Sequence, residues 1–177
     1  MIRRPLTLPA ILAVVALCAV SGPGCSAVKT AWQKASNRTM VHRIAPALTG
    51  SQWIHPAAGP ATVTSSYEGH YTLLVFFDPR EPRTAELLPV VADTQKRYRA
   101  DGVVVLGVTE ADHERTTFFL EKHPMSFSVL ADAHEDRIAF GIKNLYEPVV
   151  YLVDPYRRIL TDGLDPALAL LAEKHGH

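Results

Sequence analysis

From about residue 61 onward, short apolar segments alternate with helix patterns, and this alternation limits the chain to a small set of folds. Two segments, 73–77 and 103–108, contain no polar residue and have the length of strands. Strands have this composition when both of their faces are buried, as in parallel sheets covered by helices. The pattern predicts an α/β fold in which a mixed central sheet is flanked by helices on both faces.

The other elements are predicted from periodicity and from turn residues. Helices are predicted over 84–100, 111–123, 134–140 and 165–174, and further strands over 61–65, 127–130, 149–153 and 158–161. Gly102 follows the first helix and is predicted to adopt the left-handed conformation that often ends a helix. Trp53 and Ile54 are predicted to form a short strand packed on the domain.

The first 24 residues have the layout of a secretory signal. Arg3 and Arg4 precede an apolar stretch, 5–20, that has no charged residue, and small residues follow it. A transmembrane helix needs about 20 apolar residues, so this stretch is short for one. We therefore predict a signal peptide over 1–24, with a retained membrane anchor as the alternative.

The residues around Cys25 extend this prediction. Gly24-Cys25-Ser26 resembles the lipobox of bacterial lipoproteins, in which the cysteine becomes the lipidated first residue. The resemblance implies a lipid-anchored protein of the bacterial cell envelope that faces the periplasm, with the outer membrane favoured because no aspartate follows the cysteine. Cleavage after Ala27 is the alternative, and it would release a soluble periplasmic or secreted protein. Residues 25–60 are then predicted to be a tether and entry segment, and 61–177 the folded domain.

Several segments of that domain resemble one known fold: 71–77, 83–86, 102–108, 127–132 and 144–154. They are similar to the thioredoxin fold, in the version found in membrane-anchored thiol–disulfide oxidoreductases and in the AhpC/TSA peroxiredoxin superfamily. The resemblance covers about residues 60–175. It implies that Pro148 is the cis-proline that lies beside the active-site turn in this family.

The same resemblance places Arg80 and Arg83 at the two positions where redox cysteines are expected. Cys18 and Cys25 are the only cysteines in the chain. Thiol–disulfide exchange requires an attacking thiolate, so we predict no catalytic residue and a redox-inactive binding or accessory module of the envelope. Two alternatives stay open: an oxidoreductase with thiol redox or antioxidant activity, as the family implies, and a structural subunit of an envelope assembly.

The degenerate turn is the predicted binding site, formed by Arg80, Arg83, Glu147 and Pro148. Helix N-termini attract anions, so the turn is expected to bind a small anion or an acidic envelope partner. Two arginines at such an end need compensation, and the acidic residues available are Asp78, Glu81, Glu86 and Glu147. The alternative is a solvated or ion-paired turn that has lost its cysteines.

Charge and histidine spacing limit the other ligands. The chain has 18 basic and 18 acidic residues, and we predict no nucleic-acid partner. The first acidic residue is Glu68, and it follows Lys29, Lys34, Arg38 and Arg43. This basic segment is expected to be a solvated tether, or to lie near anionic lipid headgroups. The eight histidines have no spacing that would assemble a closed tetrahedral site, and neither a metal nor a cofactor is predicted.

Overall fold

The computed structural model describes residues 40–54 and 69–176, together with Gln33 and Asn37. The predicted signal peptide, Cys25 and the predicted strand 61–65 lie outside the described residues. Within those residues, no helix is both long enough and apolar enough to cross a membrane.

The secondary structure alternates between strands and helices, as the sequence pattern predicts. The strands are β1 (Gln52–Ile54), β2 (Thr72–Phe76), β3 (Val104–Val108), β4 (Ser128–Ala131), β5 (Val149–Val153) and β6 (Ile159–Asp162). The helices are α1 (Pro82–Tyr98), α2 (His113–Lys122), α3 (His134–Ala139) and α4 (Leu164–His175). Gly102 has a φ of 77°, which is the predicted left-handed conformation.

The strands form one mixed sheet in the order β1-β4-β3-β2-β5-β6. β2, β3 and β4 are parallel to one another, while β1, β5 and β6 each run antiparallel to a neighbour. The carboxyl ends of β2 and β3 therefore lie at the same edge of the sheet as the beginning of β5. We call this end of the strands the site edge, because the candidate site lies there. It is distinct from the two outer strands of the sheet, β1 and β6.

Alternate residues of the central strands point to opposite faces of the sheet, and each face has its own core. Leu73, Val75 and Phe77 pack with buried residues of α1 and α4. Leu74 and Phe76 pack on the other face, against Phe140 and against residues from the N-terminal part of the chain. The prediction of an α/β fold with helices on both faces is confirmed.

Gly107 is needed in the middle of the sheet. A Cβ atom at this position would lie 3.0 Å from a Val129 methyl group, 3.1 Å from the Phe77 ring and 3.2 Å from the Phe127 ring. Glycine in a strand interior often marks a close approach of this kind. Gly107 thus lets Phe77, the residue directly before the candidate site, pack against β3.

Residues 40–54 form a belt across the second face of the sheet. Met40, Ala45 and Leu48 belong to the core there. Ile44 forms a β-bridge with Arg158, next to the outer strand β6. On the other side of the sheet, β1 pairs with β4. The core therefore includes residues of 40–48, ahead of residue 61, where the sequence pattern predicts the domain to start.

A buried carboxylate holds the belt to α3. Asp136 is 2% exposed and accepts hydrogen bonds from the Thr49 backbone N–H (2.6 Å), the Thr49 hydroxyl (3.0 Å) and the Gly50 N–H (3.1 Å). A Cβ atom at Gly50 would lie 3.0 Å from one Asp136 oxygen. Buried carboxylates require hydrogen-bond partners of this kind, and the belt supplies them.

Candidate functional site

The turn between β2 and α1 is built by local hydrogen bonds. The Phe77 N–H donates to Val108, which extends the β2–β3 pairing by one residue. The Thr84 hydroxyl is buried and donates to the Asp78 carbonyl at 2.8 Å. Pro82 begins α1, where its fixed φ and missing N–H cost nothing. The sequence therefore sets a rigid turn with Arg80 just before the helix and Arg83 in its first turn.

Arg80 is paired with the nearest carboxylate along the chain. Its Nε and Nη2 donate to Asp78 at 2.9 and 2.6 Å, and its backbone N–H donates to the same side chain at 2.9 Å. Burial raises the pKa of Asp78, but the hydrogen bonds and the charge of Arg80, with the charge of Arg115, outweigh it and bring the pKa below its ordinary value. The Arg80 side chain is 71% exposed, so this pair lies at the surface.

Arg83 is paired with Glu147, across the site edge. The guanidinium Nη1 contacts the carboxylate directly, and the side chains are 53% and 18% exposed. The structure thus brings together two of the predicted site residues and places a third, Arg80, on a different partner.

The fourth predicted residue is Pro148, and the cis prediction for it is wrong. No peptide bond between described residues is cis, the Glu147–Pro148 bond included. The trans form is the more stable isomer for most X–Pro bonds. The backbone N–H and carbonyl of Glu147 are both hydrogen-bonded in this conformation. Glu147 therefore reaches Arg83 without the geometry that the resemblance implies.

Two side-chain amides from the N-terminal part of the chain hold the loop before β5. The Gln33 carboxamide donates to the Glu147 carbonyl and accepts from the Glu147 N–H, both at 2.8 Å. Asn37 accepts from the N–H groups of Lys143 (2.8 Å) and Asn144 (3.1 Å) and donates to the Asn144 carbonyl (3.1 Å). We call Gln33 and Asn37 the amide clamp.

The sequence analysis does not predict the amide clamp. The only local signal is two amide residues four positions apart in a segment that is otherwise typical of a tether. Gln33 is only 6% exposed, which is unusual for a glutamine. Its partners are 114 residues away along the chain, so no local pattern could identify them.

A small cleft of about 140 Å³ opens beside Arg80 at the site edge. It is lined by Phe77, Asp78, Arg80, Thr109, Glu110, Ala111, Arg115 and Leu145. The Glu110 carboxylate lies 2.8 Å from Nδ1 of His134 and is also paired with the Arg137 guanidinium. Nη2 of Arg115 lies 3.8 Å from Oδ2 of Asp112. The guanidinium groups at and beside the cleft therefore each have a carboxylate partner, and the site is balanced in charge.

The described residues contain no group of three or more His, Cys, Asp or Glu side chains placed to hold a metal ion. The chemical groups that the site offers are ion pairs and backbone N–H and carbonyl groups. These groups can bind a ligand. Neither cysteine of the chain lies among the described residues.

The role of the Arg83–Glu147 ion pair can be tested by removing its carboxylate. We expect Glu147→Ala to increase the affinity of inorganic phosphate for Arg83, because it removes the carboxylate that occupies the guanidinium. The free energy of unfolding should fall by less than about 1 kcal/mol, since the pair is partly exposed. NMR titration of the arginine Nε–H signals measures the first effect, and urea denaturation the second. Glu86→Ala, an exposed substitution in α1, is the control; equal phosphate affinity in both variants would contradict this prediction.

Solved structures with the same fold include bacterial thiol–disulfide oxidoreductases and a mutant of PrxQ. The thioredoxin domain of a thiol-disulfide oxidoreductase from Bacteroides vulgatus is 19% identical, with a TM-score of 0.63 over 77% of this chain and 99% of that chain. A thiol-disulfide oxidoreductase from Bacteroides fragilis is 20% identical, with a TM-score of 0.56 over 63% and 86%. A cysteine-to-serine mutant of PrxQ from Xylella fastidiosa is 20% identical, with a TM-score of 0.51 over 63% and 79%. The fold is thioredoxin-like.

The family follows from the sequence itself. The model of the AhpC/TSA family matches residues 41–161, which is more than half of the chain. This protein belongs to the AhpC/TSA family. The match begins in the belt and ends in β6, so it includes the whole site edge. No curated protein matches the chain.

Proposed function

We propose that this member of the AhpC/TSA family is a lipid-anchored binding module of the bacterial envelope, without thiol redox activity. The observation that carries the proposal is the composition of the turn after β2. Arg80 and Arg83 occupy it, each is paired with a carboxylate, and no cysteine follows Cys25 in the chain.

The missing thiol argues against the family's usual chemistry. Disulfide exchange needs a thiolate, and peroxide reduction needs a thiolate that is oxidised to a sulfenic acid. A helix N-terminus can lower the pKa of a cysteine placed there, but the first residues of α1 are Pro82, Arg83 and Thr84. Oxidoreductase activity is the second candidate function, and family membership is the observation in its favour.

We expect the mature domain, residues 26–177, to show no turnover in insulin reduction or peroxide consumption. The reason is the absence of any thiol after residue 25, because turnover in both assays needs a thiolate. Both assays should be run on a metal-free preparation, with an active thioredoxin and an active peroxiredoxin in parallel. Turnover above the buffer rate would favour the oxidoreductase.

The charge-balanced site suits a partner of mixed charge. Arg80, Arg83 and Arg115 are more than half exposed, and their carboxylate partners lie beside them. The charged groups of a binding partner could form new ion pairs with these arginines and carboxylates, so that no charge is left buried and unpaired. Chemical cross-linking from this edge in intact envelopes, followed by solubilisation, is the experiment that tests for an envelope protein at this site.

The anchoring part of the proposal depends on Cys25. We expect the full-length protein, expressed in a bacterial host, to incorporate labelled fatty acid and to sediment with membranes. Cys25→Ala should abolish both, because the lipidated residue is lost. Cys18→Ala is a matched control that should change neither. A soluble wild-type protein cleaved after Ala27 would contradict the lipobox interpretation.

A further inference from the structure

The amide clamp and the Arg83–Glu147 ion pair meet at one residue. The Gln33 carboxamide binds both the N–H and the carbonyl of Glu147, and the Glu147 carboxylate contacts the Arg83 guanidinium. Pro148 has no N–H, so Glu147 is the last residue before β5 that can bind the clamp through both of its backbone groups. The N-terminal chain is therefore connected to Arg83 through a single residue of the domain.

The loop that carries Glu147 lies between α3 and β5, and the clamp binds it at two places. Asn37 binds the backbone of Lys143 and Asn144, and Gln33 binds Glu147. The Asn37 N–H also donates to the Gln33 carbonyl at 2.9 Å, so the two clamp residues support each other. Gln33 is buried, and its release would leave polar groups without their present partners, which has a cost. The clamp therefore holds this loop in one position.

A fixed backbone at Glu147 strengthens its ion pair with Arg83. Partly exposed ion pairs are weak because two side chains must be held in one geometry. The clamp supplies part of this order in advance, since the Glu147 backbone cannot move away from α1 while Gln33 holds it. Glu147 then acts as an internal anion that competes with any external anion for Arg83.

The same loop also forms part of the cleft beside Arg80. Leu145 lies between the two places where the clamp binds, and it lines this cleft together with Phe77 and Thr109. A movement of the loop would therefore change the cleft and the pairing of Arg83 together.

We propose that the amide clamp is an autoinhibitory contact: while Gln33 holds Glu147, the Glu147 carboxylate keeps external anions off Arg83. Gln33 is then a positioning residue, because it acts on Arg83 only through Glu147. The inference rests on the proposed binding role of this turn. Coupling between two binding events is reciprocal, so an anion at Arg83 loosens the clamp by the same factor by which loss of the clamp favours the anion. A partner that binds the N-terminal chain at Gln33 and Asn37 would thus open Arg83.

NMR titration of the arginine Nε–H signals with inorganic phosphate tests the proposal on residues 26–177, which contain every residue that the structure describes. We expect Glu147→Ala to raise the affinity for phosphate about two- to fivefold, the range that a partly exposed ion pair allows. Gln33→Ala/Asn37→Ala should raise it about twofold with Glu147 still present. The triple variant should match Glu147→Ala, because the clamp acts through Glu147. Gln52→Ala replaces an exposed glutamine in β1 and should match the wild-type protein.

Hydrogen exchange in the wild-type protein tests the reciprocal effect without any substitution. The amides of Lys143, Asn144 and Glu147 donate to the clamp, so saturating phosphate should accelerate their exchange about twofold. The Gly50 amide, which donates to Asp136, is the internal reference and should keep its rate. Sodium chloride at the same ionic strength is the control for screening of the ion pair and should have a smaller effect.

The outcomes separate this inference from the binding role on which it rests. No gain in Glu147→Ala would mean that Arg83 binds no anion, and the proposed role of the turn would be overturned together with the inference. A gain in Glu147→Ala without one in the clamp variant would overturn the autoinhibitory contact and leave the binding role intact. A larger gain in the triple variant than in Glu147→Ala would overturn the positioning role of Gln33. If circular dichroism shows the clamp variant to be unfolded, the exchange experiment decides, and unchanged exchange at the three loop amides overturns the proposal.

Discussion

Phe140→Ala is expected to lower the free energy of unfolding by about 3–5 kcal/mol, the range for removal of a fully buried phenylalanine. Phe140 follows α3 and has no exposed surface. Its ring centroid lies 4.9 Å from that of Phe76 and 6.0 Å from that of Tyr151. Burial, with a smaller effect of the Asp162 charge, raises the pKa of Tyr151. The cavity would open inside a fully buried cluster between the sheet and the belt.

Urea denaturation of the mature domain measures this loss, and Phe118→Ala is the matched control. Phe118 lies in α2 with 57% of its surface exposed, so its replacement should change the free energy of unfolding by about 0.5 kcal/mol or less. A similar small loss in both variants would mean that the aromatic cluster is not the centre of this core.

The central strands could be predicted from the sequence because burial on both faces leaves a local signature. The predicted strand 149–153 coincides with β5, and 103–108 differs from β3 by one residue. The long helix spans Pro82–Tyr98 rather than 84–100, and proline suits the first helical position because its N–H would have no partner there. Strand length and apolar continuity are properties of neighbouring residues, and a single sequence contains them.

The belt could not be predicted in the same way, because its contacts are distant along the chain. Met40, Ala45 and Leu48 have no helical or strand period, and Pro46 interrupts the segment. What places them in the core is the sheet face that α3 leaves uncovered, together with Asp136. The sequence contains the donors and the acceptor 86–87 residues apart without any sign that they meet.

At the candidate site, the turn and the helix start were accessible from the sequence, and the pairing of the arginines only in part. Asp78 and Glu147 were among four acidic residues that could compensate Arg80 and Arg83, and the structure pairs one with each arginine. The resemblance brought Glu147 to the site edge, but it also implied a cis bond at Pro148 that the structure does not have. The resemblance therefore predicts correctly which segments meet at the site edge, but not the conformation of the bond before Pro148.

Asp136→Ala is expected to lower the free energy of unfolding by about 2–4 kcal/mol and to loosen the belt. The substitution removes the acceptor for two backbone N–H groups and one hydroxyl. Each donor left without a partner costs about 1–3 kcal/mol where it stays buried, and less where water reaches it. Thr49 is exposed, so water can recover part of the loss at that residue.

Hydrogen exchange and limited proteolysis would show where the loss occurs. Exchange should accelerate at the Thr49 and Gly50 amides and across β1 before it does so in β2 or β5, because the carboxylate fixes only the belt. Asp136→Asn retains one acceptor oxygen and should lose less stability than the alanine variant. Glu135→Ala, at an exposed neighbouring position, should lose almost none. If exchange at Thr49 and Gly50 stayed at its wild-type rate in Asp136→Ala, the belt would be held by apolar burial and by its backbone pairing at β4 and next to β6, rather than by the carboxylate.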